Sequence, residues 1–222
     1  MPLRVRELVR FFKTPRPPTN KDAADGIRKA RKGAFDYKTN RGIGLVGLSH
    51  LTRIKKKILQ LIAENGATPE KPVRILDVGC GSGQFPGRIK KQFGDLVEVH
   101  AVDVFRRPPW KTVDGVHFHI GHAEGLQRRF ARDFFHLVIS TYGLCYTPNQ
   151  LAALEQAQTI TKRNGWIVVH VHNGVLKRRQ KTNVNKIAKV LGARITRFPP
   201  VPGHPIYSIQ FRKKPAVIPL QE

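Results

Sequence analysis

A chain of 222 residues has room for one α/β domain with an extension, and is too short for two full domains. Hydrophobic residues make up 40%, which excludes a disordered polymer; two cysteines, Cys80 and Cys145, exclude a disulfide framework and fit a reducing compartment. The formal charge is +25, from 40 Lys and Arg against 15 Asp and Glu, and no apolar run approaches the roughly 18 residues that cross a bilayer.

At the amino end, residues 1–12 read as a short basic amphipathic helix. Glu7 and the lack of serine set it apart from an organelle-targeting leader, which stays the alternative to a cytoplasmic protein. Thr14-Pro15-Arg16-Pro17-Pro18 breaks any helix, and residues 21–31 make a marginal one around Gly26. Residues 41–47, with three glycines among apolar side chains, read as a loop, either a connector between helices or a lid over the site. Residues 51–65 read as a helix with Leu51, Ile54, Ile58, Leu59, Leu61 and Ile62 on one face, Lys55, Lys56 and Lys57 on the other, and Gly66 as its stop. The expected division is a basic extension over 1–48, an α/β domain over 49–214 and a tail over 215–222.

The domain opens on Ile75-Leu76-Asp77-Val78-Gly79-Cys80-Gly81-Ser82-Gly83. A strand over 74–78 feeds a tight bend and then a helix over 84–93. Glycine at every second position permits positive φ and lets a ligand lie against bare peptide groups. Dinucleotide sites use G-x-G-x-x-G and bring a pyrophosphate to the helix N-terminus. Here the spacing is G-x-G-x-G, Gln84 stands where that motif has its third glycine, and Asp77 precedes the turn. A fixed carboxylate repels a pyrophosphate and attracts an ammonium. S-Adenosylmethionine carries an ammonium and no phosphate, so the bend fits that cofactor better than NAD; a purely structural turn is the alternative. Cys80 reads as a small buried filler.

A second strand over 98–103 ends in Asp103, about twenty residues past the third glycine, where nucleoside-binding α/β folds accept hydrogen bonds from the ribose hydroxyls. Read as structure only, Asp103 is a cap or turn acid. Further strands fall at 117–120, 137–140 and 166–172, and helices at 124–130, 149–161 and 184–191. Strands over 194–198 and 207–212 flank the proline-rich turn 199–203, a hairpin length that makes the final strand antiparallel. This alternation predicts a parallel sheet with crossover helices.

With VHFHIGHAEGL at 116–126 and FFHLVISTYGLCY at 134–146, the chain resembles the class I S-adenosylmethionine-dependent methyltransferases, in the branch with a strand of the type FDLVxS and an L-[HC]-Y-like turn. The resemblance runs from residue 73 to 211. It implies a Rossmann-like α/β fold, a seven-stranded mostly parallel sheet with the last strand antiparallel, sandwiched by helices. It also implies cofactor contacts at Asp77, Gly79, Cys80, Gly81, Gly83, Asp103, His122, Ala123, Glu124 and Ser140. Two positions depart from the pattern. His122 stands where an acid commonly meets the adenine amine, and His136 replaces the usual aspartate of the fourth strand. A neutral imidazole still accepts one hydrogen bond from an exocyclic amine.

Methyl transfer is an in-line displacement that asks the protein to align the acceptor and exclude water, with a base only when the acceptor is protonated. Ligands bind beyond the carboxyl ends of such strands, which brings Ser140, Thr141, Tyr142 and His172 nearest the methyl. Tyr142 either orients the acceptor, touches the sulfonium through a cation–π contact, or simply packs. His172 is either a general base or structural, and no base is assigned. Cys145 lies in Leu-Cys-Tyr rather than the Pro-Cys or Thr-Cys of pyrimidine C5 chemistry, and Ser140-Thr141-Tyr142-Gly143 replaces the Asn/Asp-Pro-Pro-Tyr/Phe of exocyclic-amine transfer. No H-x-x-x-H spacing points to a metal, and none is expected.

The charge is uneven. The middle of the chain is nearly balanced, the excess sits on both flanks, and no carboxylate lies between Glu155 and Glu222. Such a field attracts polyanions in a salt-dependent way, although a general basic bias gives the same count. The expectation is therefore a methyltransferase leaning to RNA as acceptor. The alternatives are a small-metabolite methyltransferase, or a non-catalytic RNA- or ribosome-associated protein in which His122 and His136 mark decay of the site. No membrane partner is expected, and the oligomeric state stays open.

Overall fold

The computed structural model describes residues 41–106, 108–141, 143–172, 194–197 and 206–213. The readings at 1–40, 184–191 and 199–203 fall outside them. In chain order come α1 (Arg41–Asn65), β1 (Val73–Val78), α2 (Gln84–Phe93), β2 (Val97–Asp103), β3 (Val116–Ile120), β4 (Phe135–Thr141), α3 (Gln150–Ile160), β5 (Thr161–His172), β6 (Arg194–Arg197) and β7 (Ile206–Arg212). Short 3₁₀ turns occupy Pro108–Thr112, Ala123–Arg128 and Gly143–Tyr146.

The strands form one seven-stranded sheet in the order β3-β2-β1-β4-β5-β7-β6. β1 pairs parallel with β2 and β4, β2 with β3, and β4 with β5. β7 runs antiparallel between β5 and β6, as the hairpin length predicts. Alternation along β1 sends Val73 and Ile75 to one face and Leu76 and Val78 to the other. On the first face they meet Ile54, Ile58 and Leu61 of α1 and Ile89 of α2. On the second they meet Ala153, Ala157 and Ile160 of α3, with Leu126 and Phe130. Helices therefore cover both faces, and the chemistry is left to the strand ends.

Three elements differ from the sequence reading. Residues 41–47 are not a loop but the first turns of α1. Glycine lowers helix stability by about 1 kcal/mol per residue, and with no proline between Arg41 and Asn65 the helix propagates through the glycines. The helix read at 124–130 is instead a pair of 3₁₀ turns, kinked at Gly125 with φ −121°. Glu124 has its Oε1 accepting the Asn149 N–H at 3.2 Å, across to the start of α3. β5 begins at Thr161, five residues before the expected Trp166, because residues 162–165 bulge out of register with β4. Asn164 at φ +63° turns the bulge, and its N–H donates to the Lys213 carbonyl at 2.8 Å.

Candidate active site

The carboxyl ends of β1, β2 and β4 meet at the glycine bend. Gly79, Gly81 and Gly83 have φ of +78°, +56° and +81°, the left-handed region that ordinary side chains resist. They do different work. A Cβ on Gly79 would lie 2.5 Å from the Gly143 Cα, so this glycine lets the backbones after β1 and β4 touch. A Cβ on Gly83 would strike the Phe118 ring at 2.6 Å. A Cβ on Gly81 would meet nothing within 4 Å among the described residues. Of the three, only Gly81 has an open side there.

The bend is fastened to β2. The N–H groups of Gly79 and Cys80 donate to the Val102 carbonyl at 2.8 and 3.1 Å. The Gly81 N–H donates to Asp103 Oδ2 at 2.9 Å, and Asp103 Oδ1 accepts the Phe105 N–H at 3.2 Å. Three N–H groups that would cradle a phosphate are thus already engaged with protein acceptors. Beneath them lies the Asp77 carboxyl, 2% exposed and pushed up to about 7, first by burial and then by the Asp103 charge. No hydrogen bond reaches that carboxyl from the described residues. A buried anion with no partner is costly, and a ligand ammonium would offset that cost where a phosphate would add to it. Asp103 is partly exposed at the carboxyl end of β2.

The remaining candidates sort by position. Cys80 is buried with Ala101 and Trp110, as the filler reading expects. Ser140 is 1% exposed, its hydroxyl donating to the Val78 carbonyl at 2.9 Å and accepting the Leu144 N–H at 3.0 Å, so it clamps β4 to β1. Thr141 Oγ1, next along β4, is buried with no partner among the described residues. His122 is exposed ahead of the Ala123–Arg128 turn, Ala123 is buried, and Glu124 is tied to Asn149. Tyr142 lies outside the described residues, as does the side chain of His172, the last residue of β5.

His136 is removed from the site. It stands at the amino end of β4, where Nδ1 accepts the Arg74 N–H at 2.9 Å and Nε2 lies 3.1 Å from Lys162 Nζ. Burial, then Lys162 and Arg74, hold its pKa down at about 4, and the neutral imidazole offers its one lone pair at Nδ1 to the Arg74 N–H. Its departure from the family pattern is structural and says nothing of decay at the bend.

Sequence reasoning missed Trp110. Its indole N–H donates to the Gly81 carbonyl at 2.9 Å, and its ring stacks on Phe118 with centroids 4.7 Å apart. It locks the bend from behind. The available signal was a lone tryptophan after a Pro-Pro pair in the segment following β2.

The model of one protein family, described as a methyltransferase domain, matches residues 50–199. The chain belongs to the class I S-adenosylmethionine-dependent methyltransferases. Among solved structures the methyltransferase is similar to the 1,6-didemethyltoxoflavin-N1-methyltransferase of Burkholderia thailandensis, solved with bound 1,6-didemethyltoxoflavin and S-adenosylhomocysteine. That likeness has 15% identity and a TM-score of 0.61, covering 90% of this chain and 93% of that one. It is also similar to a TehB-like S-adenosylmethionine-dependent methyltransferase of Corynebacterium glutamicum, at 20% identity and TM-score 0.52 over 71% and 86% of the two chains. A third is an S-adenosylmethionine-dependent methyltransferase of Aquifex aeolicus, at 16% identity and TM-score 0.52 over 71% and 97%. No curated protein matches by sequence. At these identities the solved structures speak to the fold. The cofactor of the methyltransferase is S-adenosylmethionine, and the buried Asp77 carboxyl beside the open side of Gly81 suits it. Among the described residues no helix is long and apolar enough to cross a membrane.

Proposed function

We propose that this methyltransferase delivers its methyl group to RNA. The observation that carries the reading is the placement of charge. The cofactor-binding middle is nearly neutral, while both flanks are strongly basic and no carboxylate interrupts the stretch between Glu155 and Glu222. A neutral cofactor site between cationic flanks suits a substrate that is held by its phosphates and presents one atom for chemistry.

In this reading Asp77 receives the cofactor ammonium, the Gly81 peptide lies against it, and Asp103 accepts from the ribose hydroxyls while still holding the bend. His122 and Ala123 stand where adenine would pack, with Glu124 tying their turn to α3. When bound, S-adenosylmethionine supplies an electrophilic methyl on a sulfonium. The chain's part is to align the acceptor and shed water, with the Thr141 hydroxyl at the carboxyl end of β4.

The test is tritium transfer from labelled cofactor to total RNA, with Gly81→Arg as the control. Counts in RNA that vanish with the variant support the proposal. Counts confined to a small-molecule extract overturn it in favour of a metabolite acceptor, the second reading, which the toxoflavin-precursor methyltransferase favours by covering 90% of this chain at TM-score 0.61. S-Adenosylhomocysteine is expected to bind with micromolar affinity in calorimetry. Absence of that heat would leave the non-catalytic RNA-associated reading.

A further inference from the structure

β2 and β3 carry Glu98-Val-His100 and His117-Phe-His119, two pairs spaced by two residues. In strands that spacing sends both members of a pair to one face. The parallel register sets His100 beside His117 and Val102 beside His119, so all four side chains gather on the α3 face of the sheet. His100 Nε2 is 2.7 Å from Glu98 Oε1, and His100 Nδ1 is 3.1 Å from His119 Nε2. The rings of His100 and His117 lie 4.8 Å apart, and ligand atoms of Glu98, His100 and His117 fall within 4.8 Å of one another.

We propose that Glu98, His100 and His117 bind one divalent transition-metal ion of the zinc class. Two imidazoles and a carboxylate are a donor set suited to zinc, which takes nitrogen and oxygen ligands at about 2.0–2.2 Å in a tetrahedron and leaves its fourth position to water at an open site. Tetrahedral ligands at that distance stand about 3.4 Å apart, so the His100 Nε2–Glu98 Oε1 pair opens from 2.7 Å and the His117 ring closes in. His119 Nε2 lies against the other nitrogen of His100 and holds that ring in place. His117 is exposed, which gives an ion a way in, and Phe130, Phe134 and Phe135 wall the opposite side of His100. Arg74 is drawn to Glu98 Oε2 at 3.0 Å, leaving Oε1 directed at the cluster. Arg129, whose charge also bears on His119, opposes the ion. Nitrogen coordination rather than net charge must drive binding, which selects zinc-class ions over calcium or magnesium. Because β3 is an edge strand of the sheet, the ion would clamp it to β2. The site is separate from the glycine bend and independent of the methyl acceptor.

The untagged full-length chain, stripped with EDTA, is titrated with zinc(II) and, in parallel, cobalt(II). The expected result is one equivalent bound at micromolar Kd or tighter. The Tm should rise about 5–10 °C at free zinc a hundredfold above Kd, and cobalt should give the strong visible bands of a tetrahedral site. His117→Ala and His119→Ala should each weaken binding at least tenfold, and His117→Ala, a change at an exposed ring, should leave the metal-free Tm close to wild type. No zinc-dependent change in Tm, or unaltered binding in the His117→Ala/His119→Ala double variant, overturns the proposal.

Discussion

Asp77 is where electrostatics and chemistry pull against each other. Its folded pKa is about 7 against an ordinary 3.8. The folded state therefore holds a proton that the unfolded state has released between those values, and stability falls as pH rises through that window. Asp77→Asn removes the penalty, so the ligand-free protein should gain roughly 2–6 °C in Tm at pH 8 and change little at pH 4. The same substitution should weaken S-adenosylhomocysteine binding at least tenfold. In the unmodified protein that binding should tighten between pH 6 and 8 as the carboxyl ionises, and calorimetry at both pH values should find it flat in the variant. The glycines separate as cleanly. Gly81→Ala meets only the left-handed backbone cost of about 1–2 kcal/mol, yet projects a methyl where the cofactor is expected. Gly79→Ala adds a backbone collision with Gly143 at 2.5 Å and should cost about 2–5 kcal/mol. Urea unfolding and ligand titration should show a folded Gly81→Ala that binds poorly, and a Gly79→Ala damaged in both respects.

Among the elements, α1 departs furthest from what local pattern suggests. Gly42, Gly44 and Gly47 read as loop, and the backbone there is helical. The helix-forming stretch that follows carries its hydrogen-bond ladder back through three poor residues, a cooperative effect that no single residue reports. Gly47→Pro tests it, since proline inside a helix costs about 3 kcal/mol and in a loop almost nothing; a fall in Tm supports the helix. The Ala123–Arg128 turn fails in the other direction. Glu124 and Leu126 have helical preferences, but Gly125 breaks the segment and Glu124 bonds to Asn149 instead. β1 and β2 were legible because they are apolar runs closed by an acid. The bulge in β5 was not, because it is set by pairing with Lys213, nearly fifty residues away.

For the molecule as a whole, acid response follows from its histidines. His119 and His136 have folded pKa values of about 4 against an ordinary 6.5. The unfolded chain takes up those protons first, so their contribution is intact above pH 6.5 and is lost as pH falls toward 4. Asp77 works in the opposite sense over much of that range. Asp77→Asn should therefore steepen the loss of stability on acidification from pH 6.5 to 4, read from urea midpoints; an unchanged slope would contradict the assignment of a buried, protonated Asp77.

Taken alone, the order of residues determined the strands, the glycine bend, the acid closing β2, the antiparallel last strand and, through them, the family. Those signals pass between near neighbours, as hydrophobic period, turn chemistry and the spacing of acid to glycine. Folding in three dimensions decided which glycine faces open space, that Ser140 and Trp110 hold the bend, that His136 belongs to the far end of β4, and that two separated histidine pairs form one cluster. Each of those depends on which strand lies beside which and in what register. That choice is made by packing two faces of a sheet at once, and no local stretch of the chain carries it.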